Sequence, residues 1–136
     1  YYAVLASRPG ARAIVTDICV PISALAQAVE ETHADIARSA ISGPILGHVG
    51  DGNFHAILLI DPNNASEYRA AMQISDRMAE RALALGGTCT GEHGIGMGKL
   101  KFMEQEHGLA WEVMRGLKHQ MDPLNILNPG KLLRQN

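Results

Sequence analysis

The stretch that constrains this chain most is residues 44–61, where Asp51-Gly52 lies between two apolar runs and the histidines His48 and His55 stand on either side of it. Asp-Gly between strand-like runs signals a hairpin, because a type I′ turn demands positive φ at both central residues. Strands are therefore expected over 45–50 and 53–60, joined by a two-residue turn. In that register residue 50 pairs with 53, 49 with 54, and His48 with His55. Directly opposed residues hold their Cβ atoms about 4.5–5.5 Å apart on one face of a sheet. Two imidazoles at that spacing can share a metal ion, each nitrogen about 2.0–2.1 Å from a zinc. Were the turn Gly52-Asn53 instead, His48 would face Ile57, and His55 would remain on the same face one diagonal step away. A single histidine here would be ordinary. A cross-strand pair around a glycine-rich turn points to a metal site.

The segments around this hairpin alternate between strand and helix signals. Residues 13–20 are rich in Ile, Val and Thr and read as a strand that Pro21 stops. Ser23 is an expected N-cap for a helix running from 24 to about 40, with Leu25, Ala28, Val29, Ile36 and Ala40 at helical spacing and Gly43-Pro44 as its terminator. A longer helix is expected over 65–85, with Met72, Ile74, Met78, Leu83 and Leu85 supplying much of its apolar face and Gly86-Gly87 closing it. Residues 88–98 form a glycine-punctuated extended piece. Two shorter helices, 99–107 and 109–121, flank Gly108, and residues 122–131 hold too many Pro and Asn for regular structure. The order strand, helix, strand, strand, helix, short extended piece, helices implies an α+β domain. A ferredoxin-like, mainly antiparallel sheet with helices packed on one face and a C-terminal helical extension is the expected architecture.

Composition narrows the function. The 136 residues carry a net charge of −2, with no basic stripe and only six aromatics for base stacking, which argues against nucleic-acid binding. No apolar run approaches the roughly 20 residues that span a bilayer. Cys19 and Cys89 make no disulfide framework and read as free thiols in a reducing compartment. The chain opens on Tyr1 with no leader-like segment, so an excerpt or processed product of a longer protein is expected.

A second cluster of chemistry lies at Gly91-Glu92-His93-Gly94. Glu92 can complete a set of two histidines and one carboxylate, which leaves coordination positions open for water or substrate. His93 suits a general base, because imidazole titrates near neutrality. Two other patterns fail on inspection. The alternating Gly94, Gly96 and Gly98 admit no G-x-G-x-x-G, and Gly98-Lys99 is followed by Leu100, not the Ser or Thr of a phosphate loop.

Three segments resemble one family. They are Gly47-His48-Val49-Gly50-Asp51-Gly52-Asn53-Phe54-His55, Gly87-Thr88-Cys89-Thr90-Gly91-Glu92-His93-Gly94-Ile95-Gly96 and Leu127-Asn128-Pro129-Gly130-Lys131. Together they are similar to the C-terminal domain of FAD-linked oxidases of the vanillyl-alcohol-oxidase type, and the resemblance extends over nearly all of residues 1–136. Thr16-Asp17-Ile18-Cys19-Val20-Pro21-Ile22 most resembles the D-lactate dehydrogenase branch, with glycolate oxidase flavin subunits close by. The resemblance implies a divalent metal (zinc, manganese or iron) held by His48, His55 and Glu92, His93 as catalytic base, and Asn128 near the flavin. It also implies an N-terminal FAD-binding domain that residues 1–136 do not include, and an upstream substrate-binding arginine that neither Arg8 nor Arg12 replaces. In the hydroxyglutarate branch an Asn follows the second metal histidine by two positions. Ile57 stands there in this chain, which implies a smaller or less polar substrate than a dicarboxylate.

The implied reaction is oxidation of a small 2-hydroxy acid to a 2-oxo acid by metal-assisted hydride transfer to FAD. Electrons then pass to a cytochrome, a quinone or an electron-transfer flavoprotein. The location expected is cytoplasmic or peripheral to the inner membrane in a bacterium, and mitochondrial in a eukaryote. Residues 1–136 alone are expected to be inactive and to expose an apolar patch, which makes a homo-oligomer an expected outcome. Two rival readings stand beside this one. A self-sufficient metal hydrolase built on His48, His55 and Glu92 predicts activity without flavin, and a non-catalytic ferredoxin-like binding module predicts no stoichiometric metal.

Overall fold

A computed structural model describes residues 1–133. They fall into two compact units, Tyr1–Glu92 and a second beginning at His93.

The first unit is organised by β4 (Asn53–Ile60), whose eight residues are all buried. β1 (Arg12–Val15) and β2 (Ile18–Cys19) both run antiparallel to it. Their pairing is one continuous register, from Arg12 opposite Ile60 to Cys19 opposite Asn53, broken only at Thr16-Asp17. The single strand expected over 13–20 is thus present with a short interruption. β3 (Ile45–His48) pairs antiparallel along the other edge of β4, and Thr88 bridges Cys19 outside β2. Reading across, the piece at Thr88 lies beside the first strand, the first beside β4, and β4 beside β3. That is the strand order of a ferredoxin-like split βαβ arrangement, so the expected α+β architecture is realised.

The hairpin turn differs from expectation. Val49–Asp51 forms a tight 3-10 turn closed by Gly52 at φ 74°, ψ 7°. A type I′ turn would need positive φ at Asp51 as well, and Asp51 is not among the described residues that adopt it. The loop therefore takes four residues, β3 ends at His48, and His48 pairs with Asn53 while His55 pairs with Leu46. Gly52 is required twice over, because a Cβ there would also sit 2.0 Å from the Val20 carbonyl oxygen.

α2 (Leu25–Ala37) and α3 (Ala65–Ala84) are the two crossover helices, and α3 packs against α2, β2 and β4. α3 starts where Asn64 accepts the N–H groups of Ser66 and Glu67, satisfying donors that an α-helix leaves open. Its Ala71, Ile74, Met78 and Ala82 recur at helical spacing and are fully buried, each large one contributing about 1.5–3 kcal/mol of transfer free energy. α2 ends at Ala37, well before Gly43-Pro44, and Ser23 makes no capping hydrogen bond; a short 3-10 turn at Ile22–Ala24 leads into the helix instead. The helix pair is locked by Arg81, which donates to Glu31 (2.6 Å), Thr32 (3.0 Å) and Asp35 (2.7 Å). These contacts explain why Thr32 and Asp35 are buried polar residues on α2. A short helix, α1 (Tyr2–Ala6), precedes β1 and had no clear periodic signal.

The second unit contains α4 (Met103–His107) and α5 (Leu109–Met121), separated by Gly108 at φ 50°, ψ −127°. Its small core is Met103, Trp111 and Leu133, with Ile95 and Met114 against them. Within α5, Leu109, Val113, Leu117 and Met121 recur every fourth residue and are exposed. Both cysteines are free thiols, and no helix among the described residues is long and apolar enough to cross a membrane.

Candidate metal centre

Side chains alternate across a strand, so Asn53, His55 and Ile57 of β4 share one face. His48, opposite Asn53, points to that same face and lies diagonal to His55. The two rings stand 6.3 Å apart, centroid to centroid, nearly perpendicular. Glu92, the last residue of the first unit, reaches both: Oε1 is 3.1 Å from Nε2 of His55 and 3.9 Å from Nε2 of His48. One ligand atom from each of the three lies within 4.8 Å of the others. Ligands about 2.0–2.1 Å from a tetrahedral ion sit roughly 3.3–3.5 Å from one another. The set matches that spacing after small side-chain adjustments. The His55 side chain is 6% exposed, while those of His48 and Glu92 are 64% and 51% exposed, so the cluster has a buried floor and an open mouth.

The orientation of His55 follows from the interruption between β1 and β2. At Thr16 the ladder is rewired: the hydroxyl of Thr16 accepts the Ala56 N–H at 2.8 Å, which a strand carbonyl would otherwise take. The Thr16 carbonyl is thereby released and lies 2.9 Å from Nδ1 of His55. A carbonyl can only accept, so Nδ1 donates to Thr16, and Nε2, 3.1 Å from the Glu92 carboxylate, is the ring nitrogen left to face a metal ion. That is the tautomer a metal ligand needs.

Asp17 is the residue of this site that sequence reasoning passed over. It is 2% exposed, and an acid that deep requires partners. Oδ1 accepts from Nδ2 of Asn53 at 2.8 Å and lies 3.6 Å from Nδ1 of His55. Oδ2 accepts from Oγ1 of Thr90 at 2.8 Å and from the N–H groups of Gly91 and Glu92, both at 2.9 Å. Asn53 spends its other donor on the Ile18 carbonyl (2.7 Å), and its own Oδ1 is a buried acceptor with no hydrogen-bond partner. Gly91 has no room for a side chain: a Cβ would lie 1.9 Å from Nδ2 of Asn53. The signal in the sequence was a carboxylate inside an otherwise apolar strand segment, Val15-Thr16-Asp17-Ile18.

Of the remaining predicted site residues, His93 is exposed and opens the second unit. Asn128 lies in that unit at φ 47°, lining a cleft of about 650 Å³ with Arg115, Lys118, His119 and Lys131. Arg8 is committed elsewhere. Its guanidinium grips both carboxylate oxygens of Glu67 at 2.9 and 3.0 Å, and that hydrogen bonding raises its pKa further despite the opposing desolvation.

Residues 2–132 match the family described as FAD linked oxidases, C-terminal domain. The chain is 54% identical over 134 residues to a probable mitochondrial D-lactate dehydrogenase of Danio rerio, covering 98% of this chain and 27% of the relative. It is 41% identical over 133 residues to the mitochondrial D-lactate dehydrogenase [cytochrome] of Arabidopsis thaliana, covering 97% of this chain and 24% of the relative. It is 38% identical over 126 residues to the glycolate oxidase subunit GlcD of Bacillus subtilis, covering 90% of this chain and 26% of the relative. The chain thus spans about a quarter of the length of the curated relatives it matches.

Proposed function

The chain belongs to the FAD-linked oxidase family, as its C-terminal domain, and from that premise we propose that it is the metal- and substrate-orienting part of an FAD-dependent 2-hydroxyacid dehydrogenase of the D-lactate type. The observation that carries the reading is the convergence of His48, His55 and Glu92 on one point beside the ordered loop 90–92. The names of the relatives, D-lactate dehydrogenases and a glycolate oxidase subunit, support the substrate class.

In this reading His48, His55 and Glu92 hold a divalent cation, with zinc, manganese and iron all compatible with two imidazoles and a carboxylate. When bound, the cation supplies Lewis acidity and the flavin supplies the hydride acceptor. The open mouth of the cluster admits the carboxylate and hydroxyl oxygens of a 2-hydroxy acid. His93 takes the hydroxyl proton as general base. Asn128 helps hold the flavin, lining a cleft in which Arg115 and Lys118 are paired with Glu112 and Asp122 and Lys131 adds a further cation. Ile57, buried on the face that carries His55, disfavours a second substrate carboxylate. Turnover requires the flavin-binding domain, electrons leave to a cytochrome, quinone or electron-transfer flavoprotein, and the α5 stripe is where self-association of residues 1–136 alone would occur.

The test is made on the full-length protein that contains this chain. Elemental analysis is expected to find one divalent ion per chain, and anaerobic D-lactate is expected to bleach the flavin faster than D-2-hydroxyglutarate does. A flavin that no 2-hydroxy acid reduces, or reduction that survives complete removal of the metal by chelator, would overturn the reading.

A further inference from the structure

The chain has a buried carboxylate, Asp17, that is no ligand in the reading above, yet it contacts Asn53 at the start of the strand that carries His55 and the loop that carries Glu92. We propose that Asp17 is a positioning residue that holds Glu92 in reach of His55. The proposal rests on the metal-centre reading and adds to it the device that assembles the centre.

Three separate pieces of chain meet at this one side chain. Its own segment, the gap between β1 and β2, supplies the Thr16 carbonyl that orients His55. The start of β4 supplies Asn53, which is opposite His48 in the sheet and donates to Oδ1 of Asp17. The loop after Thr88 supplies the Thr90 hydroxyl and two successive main-chain N–H groups, Gly91 and Glu92, all directed to Oδ2. The loop leaves the sheet at the Thr88 bridge to Cys19, and the Thr88 hydroxyl also binds the Thr90 carbonyl and N–H. Three donors on one carboxylate oxygen fix where the Glu92 backbone lies, and from there the Glu92 carboxylate stands 3.1 Å from Nε2 of His55.

The chemistry of the contacts demands an anion that only accepts. Both oxygens of Asp17 face donors, so an amide in its place would direct an NH2 group at other N–H or O–H groups on one side or the other. Glu at this position would be too long for a pocket in which the carboxylate is 1% exposed. Asp17→Asn is therefore nearly isosteric and yet breaks the clamp. Partners that orient metal ligands typically change metal affinity by about 10–100-fold when removed.

The experiment compares zinc affinity in the full-length protein and its variants, by competition with a chromophoric chelator after metal removal. The coordination spectrum of the cobalt-substituted protein is recorded in parallel. Asp17→Asn is expected to lose about 10–100-fold in affinity and to shift the cobalt spectrum while the protein remains folded by circular dichroism. Arg81→Met, which unlocks α2 from α3 away from the site, controls for general destabilisation and is expected to lower the melting temperature but keep wild-type affinity and spectrum. Should Asp17→Asn fail to fold, Thr90→Val removes one donor from Oδ2 alone and is expected to weaken zinc binding in the same direction by a smaller factor. Wild-type affinity in a folded Asp17→Asn protein, or in Thr90→Val if that is the variant that folds, overturns the clamp and leaves the metal centre standing. An equal loss of affinity in Arg81→Met overturns it as well. A wild-type protein that binds no zinc or cobalt overturns the metal-centre reading, and the clamp with it.

Discussion

The Thr16 carbonyl lies 2.9 Å from Nδ1 of His55, and the Thr16 hydroxyl stands in for that carbonyl in the sheet by accepting the Ala56 N–H at 2.8 Å. One residue therefore serves both the ladder and the imidazole. Ala56 is fully buried, so its N–H has no recourse to water if the hydroxyl is lost. Thr16→Val keeps the shape and removes the acceptor. The expected cost is about 1–3 kcal/mol, the penalty for a buried donor left unsatisfied, read as a lower urea midpoint with unchanged slope. A variant as stable as wild type would mean that the Ala56 N–H recovers the Thr16 carbonyl and that His55 is held by something else.

The roles of the neighbouring residues Glu92 and His93 separate by metal content. In the proposed reading His48→Ala and Glu92→Gln each remove one of three metal donors, and both are expected to lose metal and turnover together. His93→Ala is expected to retain the metal and lose about 10²–10⁴-fold in rate, the usual contribution of a positioned general base. Metal analysis beside steady-state kinetics on the same preparations checks both. If His93→Ala turns over normally, the base lies elsewhere; if it loses the metal, His93 belongs to the ligand set.

The parts of this site that were legible in the sequence, and the parts that were not, follow from periodicity. The turn type differs from the expected one, yet the two histidines still share a face. Moving the partner of His48 from His55 to Asn53 is a shift of two residues, and strand side chains repeat every two. His48 and His55 therefore stay on one face in either register. β4 and α3 were equally legible because their apolar residues dominate their packing, and α5 because its apolar residues recur at helical spacing, although only Trp111 of them is buried. The end of α2 was not, because Arg38 closes the helix before any glycine or proline signal arrives. A carboxylate within a strand segment marks Asp17 as unusual, but its partners were not legible, for a different reason. Its hydrogen-bond partners lie 36, 73, 74 and 75 residues away in sequence, and no local spacing reports contacts of that range.

Acid stability should report on Asp35. Burial pushes its carboxyl pKa up, but hydrogen bonds from Arg81 and Arg38 and the nearby charge of Arg77 outweigh burial and hold it below the ordinary aspartate value. A depressed native pKa means that the stabilisation is fully present above the unfolded value of 3.8 and is lost as pH falls through the lower folded value. Asp35→Asn removes that dependence and leaves the Arg81 guanidinium short of its partner. The variant is expected to melt lower than wild type at pH 7, with the gap narrowing as pH drops below the ordinary carboxylate range. Parallel melting curves for the two proteins that keep a constant gap down to the lowest pH would contradict the assignment.

Gly47 in β3 and Gly50 in the turn flank His48 and Val49 and give a contrast between two glycines of one hairpin. A Cβ on Gly47 would lie 2.3 Å from the Asn53 carbonyl oxygen and 2.5 Å from Cα of Phe54, both main-chain atoms that cannot swing aside. A Cβ on Gly50 would meet nothing within 4 Å, and its φ is not in the left-handed region. Gly47→Ala must therefore push β3 away from β4, at a cost of about 1–3 kcal/mol or more by overpacking, and it must separate His48 from His55. Gly50→Ala is expected to change stability by no more than about 0.5 kcal/mol, as for an unconstrained surface position. Measured together, the pair distinguishes a loop that tolerates any substitution from one whose close strand approach aligns the histidines. The expected result is loss of both stability and metal affinity in Gly47→Ala and of neither in Gly50→Ala. Equal behaviour of the two variants would show that the β3–β4 approach does not set the imidazole spacing.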